Sequence, residues 1–291
     1  LNAALNAANR RALGLQGLAL PVSLTAAHVL FGLAALAPAM LRAPRRAGVL
    51  DALRSRWPAL AAVGAINGAQ VALNNSSLVH MELSMNQVVR ATLPIFVAVL
   101  QAIQACPPPV SHMPLLVAIS LGVHLVVRDV PAASGEWWGV LLVTSSVALQ
   151  ACQMCFAGRL LSARLDPLQL IFCTAPFALA ATGLPALALE GAAVARLAAE
   201  RPAAMVQLAV GTSFLAVIYN VVLYESINRL SASGSAVLGT AKVVLLVGLA
   251  RPLLGEMGAW SPAQGFGALL TLAGSAVYAL SQLRGADATA R

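Results

Sequence analysis

Apolar runs separated by short polar or proline-containing breaks recur along nearly the whole chain. They fall near 21–40, 58–79, 85–105, 114–127, 138–158, 168–189, 204–223, 233–254 and 262–283, behind a shorter run at 1–9. Runs of roughly 20 residues are long enough to cross a ~30 Å hydrocarbon core as helices. Prolines at 44, 107, 108, 109, 131, 167, 202 and 252 mark the breaks, because proline lacks the amide donor and clashes inside a helix. The pattern predicts an all-α membrane protein of ten transmembrane helices. The first is expected to be truncated: the chain opens on Leu1 rather than methionine, so its own N-terminus and any targeting peptide would lie upstream. The runs at 168–189 and 204–223 are apolar nearly all round, which excludes a water-soluble bundle with polar outer faces.

Polar residues inside the runs are not scattered. Asn67, Gln70, Asn74 and Ser77 fall on one helical face, as do Ser146, Gln150 and Gln153, and Asn2, Asn6 and Asn9. Ser235, Gly239 and Lys242 form a fourth set, and Gln87 shares a face with Arg90. Polar stripes in membrane helices face a bundle interior or a water-filled cavity. Interhelical hydrogen bonding uses the same residue types, but four stripes together with two cations predict a cavity. Ala263, Gly267 and Thr271 on the last run fit close helix packing and need no further role.

Composition sharpens the membrane reading. Only 10% of the 291 residues are charged and 59% are hydrophobic, against about 25% charged in soluble domains. The net charge of +8 comes from arginines concentrated in the breaks, which is topological bias rather than a nucleic-acid surface. Arg42, Arg45, Arg46, Arg54, Arg56, Arg159, Arg164, Arg229, Arg284 and Arg291 lie on one side, and Arg10, Arg11, Arg128, Arg196, Arg201 and Arg251 on the other. That bias places the 41–57 segment and both termini in the cytosol. Cys152 and Cys155 have the spacing of a redox or metal pair, but they sit inside an apolar run with no second pair, so helix-packing thiols are expected. The histidines, His28 and His124 included, lack metal-ligand spacing and read as structural. No nucleophile elbow, phosphate-binding glycine loop or metal cluster is present, so neither an enzyme nor a cofactor is expected.

The chemistry rests on the cations. Lys242 is the chain's one lysine, nine residues past Ser233, so ~13 Å along its helix at ~1.5 Å per residue and near the bilayer midplane. An ionisable group there costs roughly 2.5–3.5 kcal/mol. Arg90 lies about five residues into its own span. All ten acidic residues (Asp51, Glu82, Asp129, Glu136, Asp166, Glu190, Glu200, Glu225, Glu256 and Asp287) sit at breaks or span ends. A buried charge without a partner is strongly disfavoured, so either Lys242 loses its proton or the counter-charge comes from outside as an anionic solute. The lack of mid-span carboxylates argues against cation-coupled carriage of neutral solutes.

The chain also reads as a duplication. Pro21 and Pro167, Asn75 and Asn220, and Arg90 and Lys242 occupy corresponding places at offsets of 146, 145 and 152 residues. Two five-helix halves, 1–130 and 131–291, would insert with opposite topology and together form one transport domain around a midplane site.

Two segments, NNSSLVHMELSMNQVVRATLPIFVAVLQ (74–101) and IYNVVLYESINRLSASGSAVLGTAKVVLLVG (218–248), resemble the third-to-fourth and eighth-to-ninth helix regions of the triose-phosphate translocator family. This family belongs to the drug/metabolite transporter superfamily, alongside nucleotide-sugar transporters. LDPLQLIFCTAPFAL (165–179) is similar to the start of its seventh helix. The resemblance implies ten helices in two inverted halves and strict exchange of phosphorylated solutes. Plastid members hold the phosphate with a lysine on the fourth helix and a Lys-Arg pair on the ninth. Arg90 stands at the first of these positions and Lys242 at the second. Tyr219 stands where the family has a substrate-facing tyrosine, and Asn74 where plastid members place a phosphate-binding threonine. Val243 replaces the arginine of the pair, and Val71 replaces a histidine. Lysine followed by a neutral residue is similar to the nucleotide-sugar branch of the Golgi and endoplasmic reticulum, so those membranes are expected rather than the plastid envelope. The substrate-binding set is expected to be Arg90, Lys242, Tyr219, Asn74, Asn75, Gln87 and Asn220. The substrate would be a sugar phosphate exchanged for inorganic phosphate, or a nucleotide sugar exchanged for a nucleoside monophosphate, carried by a monomer or homodimer in the lipid bilayer. The alternative is a membrane scaffold or receptor that keeps the fold without transporting.

Overall fold

The computed structural model describes the backbone of residues 2–15, 18–104, 112–127, 135–162, 165–254 and 261–289. The side chain of Lys242, and all of Cys106, lie outside the described residues. The helices are α1 (Asn2–Arg10), α2 (Pro21–Met40), α3 (Arg45–His80), α4 (Leu83–Arg90), α5 (Leu93–Ile103), α6 (Met113–Val127), α7 (Gly135–Ser162), α8 (Pro167–Glu200), α9 (Pro202–Leu254) and α10 (Pro262–Thr289), with a π-helical turn at Arg11–Leu15. Among the described residues there is no strand. Pro21–Met40, Leu83–Ile103, Glu136–Ser162, Pro167–Glu200 and Met205–Arg229 are long and apolar enough to cross a membrane, and Met113–Val126 is a shorter apolar helix. Large apolar side chains on the outer faces, such as Leu187, Leu184 and Phe214, stand exposed, as lipid-facing residues do.

Helix boundaries differ from the sequence reading at several places; α8, for one, runs on to Glu200. The 41–57 segment, read as a loop, is the first part of α3. The helix kinks at Arg56, whose φ/ψ of −133°/16° is non-helical, two residues before Pro58. Val49 and Ala52 are buried while the arginines around them face outward, so this stretch is amphipathic and its charge did not mean an absence of structure. The run at 85–105, read as one helix, breaks at residues 91 and 92. Pro94 explains the break, because its ring crowds the carbonyl of Arg90 and it has no amide to donate to it. Nearby groups satisfy the freed backbone: the Thr92 hydroxyl donates to the Val89 carbonyl at 2.7 Å, and Ser275 of α10 reaches the Ala91 carbonyl at 3.4 Å. Residues 224–232, read as a connector, are helical within the 53-residue α9. They contain neither proline nor glycine, so nothing in the backbone stops the helix.

The helices meet through small residues. Gly64 and Gly68 of α3 face Thr174, Ala178 and Thr182 of α8. A methyl group on Gly68 would lie 2.9 Å from the Ala178 carbonyl oxygen. Gly122 of α6 meets Gly267 and Thr271 of α10 in the same way, so the close-packing role read for Gly267 and Thr271 holds. The N-terminus of α2 is capped from outside: Glu190 of α8 accepts the backbone N–H groups of Val22 and Ser23 at 3.1 and 2.7 Å. These donors are among the four that a helix start leaves unpaired, and the carboxylate also suits the positive end of the helix.

Candidate functional site

Arg90 is the last residue of α4, directly before the break. Discontinuous helices of this kind place backbone and side chains around sites inside membrane proteins. The guanidinium donates from Nη1 to Asn74 Oδ1 at 2.8 Å and from Nη2 to Gln150 Oε1 at 2.6 Å. Its Nε is buried and has no hydrogen-bond partner among the described residues. The hydrogen-bond partners of this cation among the described residues are neutral amides.

Arg90 sits between two cavities. The first is walled by α1 (Asn6, Asn9), α2 (Thr25, His28), α3 (Asn67, Gln70, Asn74, Asn75) and α9 (Tyr219, Asn220), and reaches Arg90 and Gln150. It lies toward the end of the bundle where α2 begins and α3 finishes. The second is lined by Leu93, Pro94, Met154, Leu223, Ser235 and Gly239, and lies toward the end where α7 finishes. Arg90, Gln150 and Tyr219 line both and form the partition.

An amide network stiffens the first cavity. Asn75 donates to Thr25 Oγ1 at 3.0 Å and accepts from Asn9 at 3.1 Å, linking α3 to α1 and α2. Asn86 donates to Ser77 Oγ at 2.7 Å and to Asn74 Oδ1 at 3.4 Å, and accepts from Gln87 at 2.8 Å. Asn74 Oδ1 thus faces both Asn86 and Arg90. On α7, Ser146 donates to the Gln70 carbonyl at 2.7 Å and Gln153 to the Tyr224 hydroxyl at 2.8 Å. Two of the three residues in that stripe are therefore interhelical ties, and the third, Gln150, is Arg90's anchor.

Of the seven residues expected at the site, Arg90, Asn74, Asn75, Tyr219 and Asn220 line the first cavity together. Gln87 does not line it; it is fully buried and bonded to Asn86. Gln87 shares the helical face of Arg90, but the chain ends its helix at Arg90 and the guanidinium reaches away toward α3 and α7. The Lys242 side chain lies outside the described residues. Further polar side chains of this cavity lie outside the expected set of seven. Gln150 carried a signal in its polar stripe. Thr25 carried none. His28 was read as structural; its Nε2 lies 2.9 Å from Thr212 Oγ1, and its ring also lines the cavity. Cys152, Cys155 and Cys173 are free thiols, and no group of metal-ligating side chains occurs among the described residues.

A polar, arginine-bearing cavity among helices long and apolar enough to cross a membrane is what a membrane transporter requires. A protein crystal structure aligns over 96% of this chain and 96% of its own, with a TM-score of 0.57 and 19% sequence identity, so the fold is one already seen in a solved structure. No curated protein sequence matches the chain. The model of the Triose-phosphate Transporter family matches residues 1–279, and the chain belongs to that family. Its members are transporters rather than enzymes.

Proposed function

We propose that the protein exchanges phosphorylated organic anions across an internal membrane, with a sugar phosphate or nucleotide sugar moving against inorganic phosphate or a nucleoside monophosphate. The observation that carries this reading is Arg90: a guanidinium inside the bundle, held by two neutral amides, with an unpartnered Nε. A planar guanidinium binds phosphate oxygens in bidentate fashion. Lys242 would add a second cation, while Tyr219, Asn74, Asn75, Asn220 and Gln87 orient the organic part, Gln87 acting at a distance through Asn86. The two halves, 1–130 and 131–291, would rock about the partition and open the two cavities in turn. Departures at Val243 and Val71 favour Golgi or endoplasmic reticulum membranes over the plastid envelope.

The amide lining of the first cavity suits hydroxyl-rich solutes and leaves both substrate pairs open. Counter-exchange in proteoliposomes preloaded with inorganic phosphate or with a nucleoside monophosphate separates them. Labelled sugar phosphates and nucleotide sugars are supplied outside, with Lys242→Ala as control. Uptake should depend on one internal anion class and fall at least about 30-fold in the variant, the lower end of the loss for a buried charge contact. Full uptake by Lys242→Ala would remove the lysine from the site, and no exchange from folded protein would favour the scaffold reading.

A further inference from the structure

Gln150 gives Arg90 its shorter bond, at 2.6 Å, and comes from a different helix than Asn74. It is 3% exposed and borders both cavities. Its place on α7 is fixed from both sides. Ser146, one turn before, is tied to α3, and Gln153, one turn after, is tied to α9. The arrangement is what an arginine–glutamate pair would need, except that the acceptor is an amide.

We propose that Gln150 is a positioning residue that sets anion specificity, acting as a neutral stand-in for a carboxylate; this rests on the anion-exchange reading above. A glutamate here would reach the same Nη2 and would also neutralise the guanidinium. An entering phosphate would then have to displace a charge-assisted pair. The amide gives the same hold while leaving the full positive charge for the solute, along with the Nε–H that has no partner among the described residues. With Oε1 turned to Arg90, the other half of the Gln150 amide can only donate, which suits an oxyanion and not a cation. The difference between glutamine and glutamate at this position decides whether the partition is an anion site or a closed ion pair.

The test compares wild type, Gln150→Glu and Gln150→Met in proteoliposomes. The probes are labelled inorganic phosphate against internal phosphate and a labelled nucleoside monophosphate against the same compound inside, with thermal unfolding measured in parallel. Gln150→Glu should unfold at or above the wild-type temperature, yet need at least about tenfold more anion for half-maximal exchange, because a buried ion pair must be opened. Gln150→Met loses the anchor but keeps the cation, so it should unfold earlier and shift the half-maximal concentration less than Gln150→Glu. A merely structural glutamine gives the reverse order, with glutamate tolerated and methionine damaging; that result overturns the proposal and leaves anion exchange standing. If Gln150→Glu does not fold, the methionine variant decides: a shift above about tenfold, the size this reading assigns to the glutamate variant, overturns the proposal. Wild-type protein that exchanges neither probe overturns both readings.

Discussion

Arg90→Ala should lower exchange of phosphorylated anions by at least about 100-fold, the lower part of the range for removing a buried, hydrogen-bonded charge. The guanidinium sits inside the bundle between Asn74 and Gln150, where water screens it little and each N–H···O⁻ contact is worth more than at a surface. The protein should still fold. The two amide oxygens left behind border cavities that admit water, and removing the arginine removes a desolvation cost as well as two bonds. Arg90→Lys keeps the charge but not the fork, so it should retain part of the activity, down by about tenfold. Exchange rates in proteoliposomes, normalised to folded protein by thermal unfolding, measure both. Near wild-type exchange by folded Arg90→Ala would refute the role given to this residue.

The largest structural effect is expected at Gly64. A methyl group there would run into the Thr174 carbonyl and lie 2.9 Å from the Phe177 Cβ and 3.2 Å from the Ala178 backbone nitrogen. The obstacle is backbone, which cannot rotate away as a side chain can. Overpacking a core costs typically 1–3 kcal/mol and occasionally more. Here α3 and α8 would also be forced apart along their shared packing face, so Gly64→Leu should cost at least about 3 kcal/mol. Little monodisperse protein should survive detergent extraction. Gly191, on the same α8, has no atom within 4 Å of an added methyl, and Gly191→Ala should be neutral or stabilise by up to about 1 kcal/mol. Elution profiles and unfolding temperatures check the pair. Equal behaviour of the two variants would contradict the packing described for Gly64.

What the sequence made legible follows from which signals are local. Asn67, Gln70, Asn74 and Ser77 share a face by helical periodicity alone, and that face does point into the bundle, toward α2, α4 and α7. Arg90 declared itself by being charged within an apolar run. Gln150 was visible only as part of a stripe. Its difference from Gln153, one turn away, is set by which neighbour each meets, Arg90 or Tyr224. That is a tertiary fact with no local trace. Gln87 failed as a direct cavity residue for a related reason: the break ahead of Pro94 ends the helix at Arg90 and decouples the directions the two side chains take. The amphipathic start of α3 was hidden because five arginines in residues 42–56 give a polar average that masks the buried Val49 and Ala52. The same averaging keeps α3 out of the set of spans identified by apolarity. Its amide stripe, which lines the cavity, lowers the hydropathy of the helix that carries it.

On this reading the solute supplies the charge missing from the protein's interior. The most direct measurement is uptake of one labelled phosphorylated anion into two sets of proteoliposomes, one empty and one preloaded with unlabelled phosphate or nucleoside monophosphate. If Arg90 and Lys242 need an anion to cross the occluded state, uptake proceeds into loaded vesicles and stays at background in empty ones. Equal, rapid uptake into empty vesicles would show that the unliganded cations cross unaided, and would contradict the account.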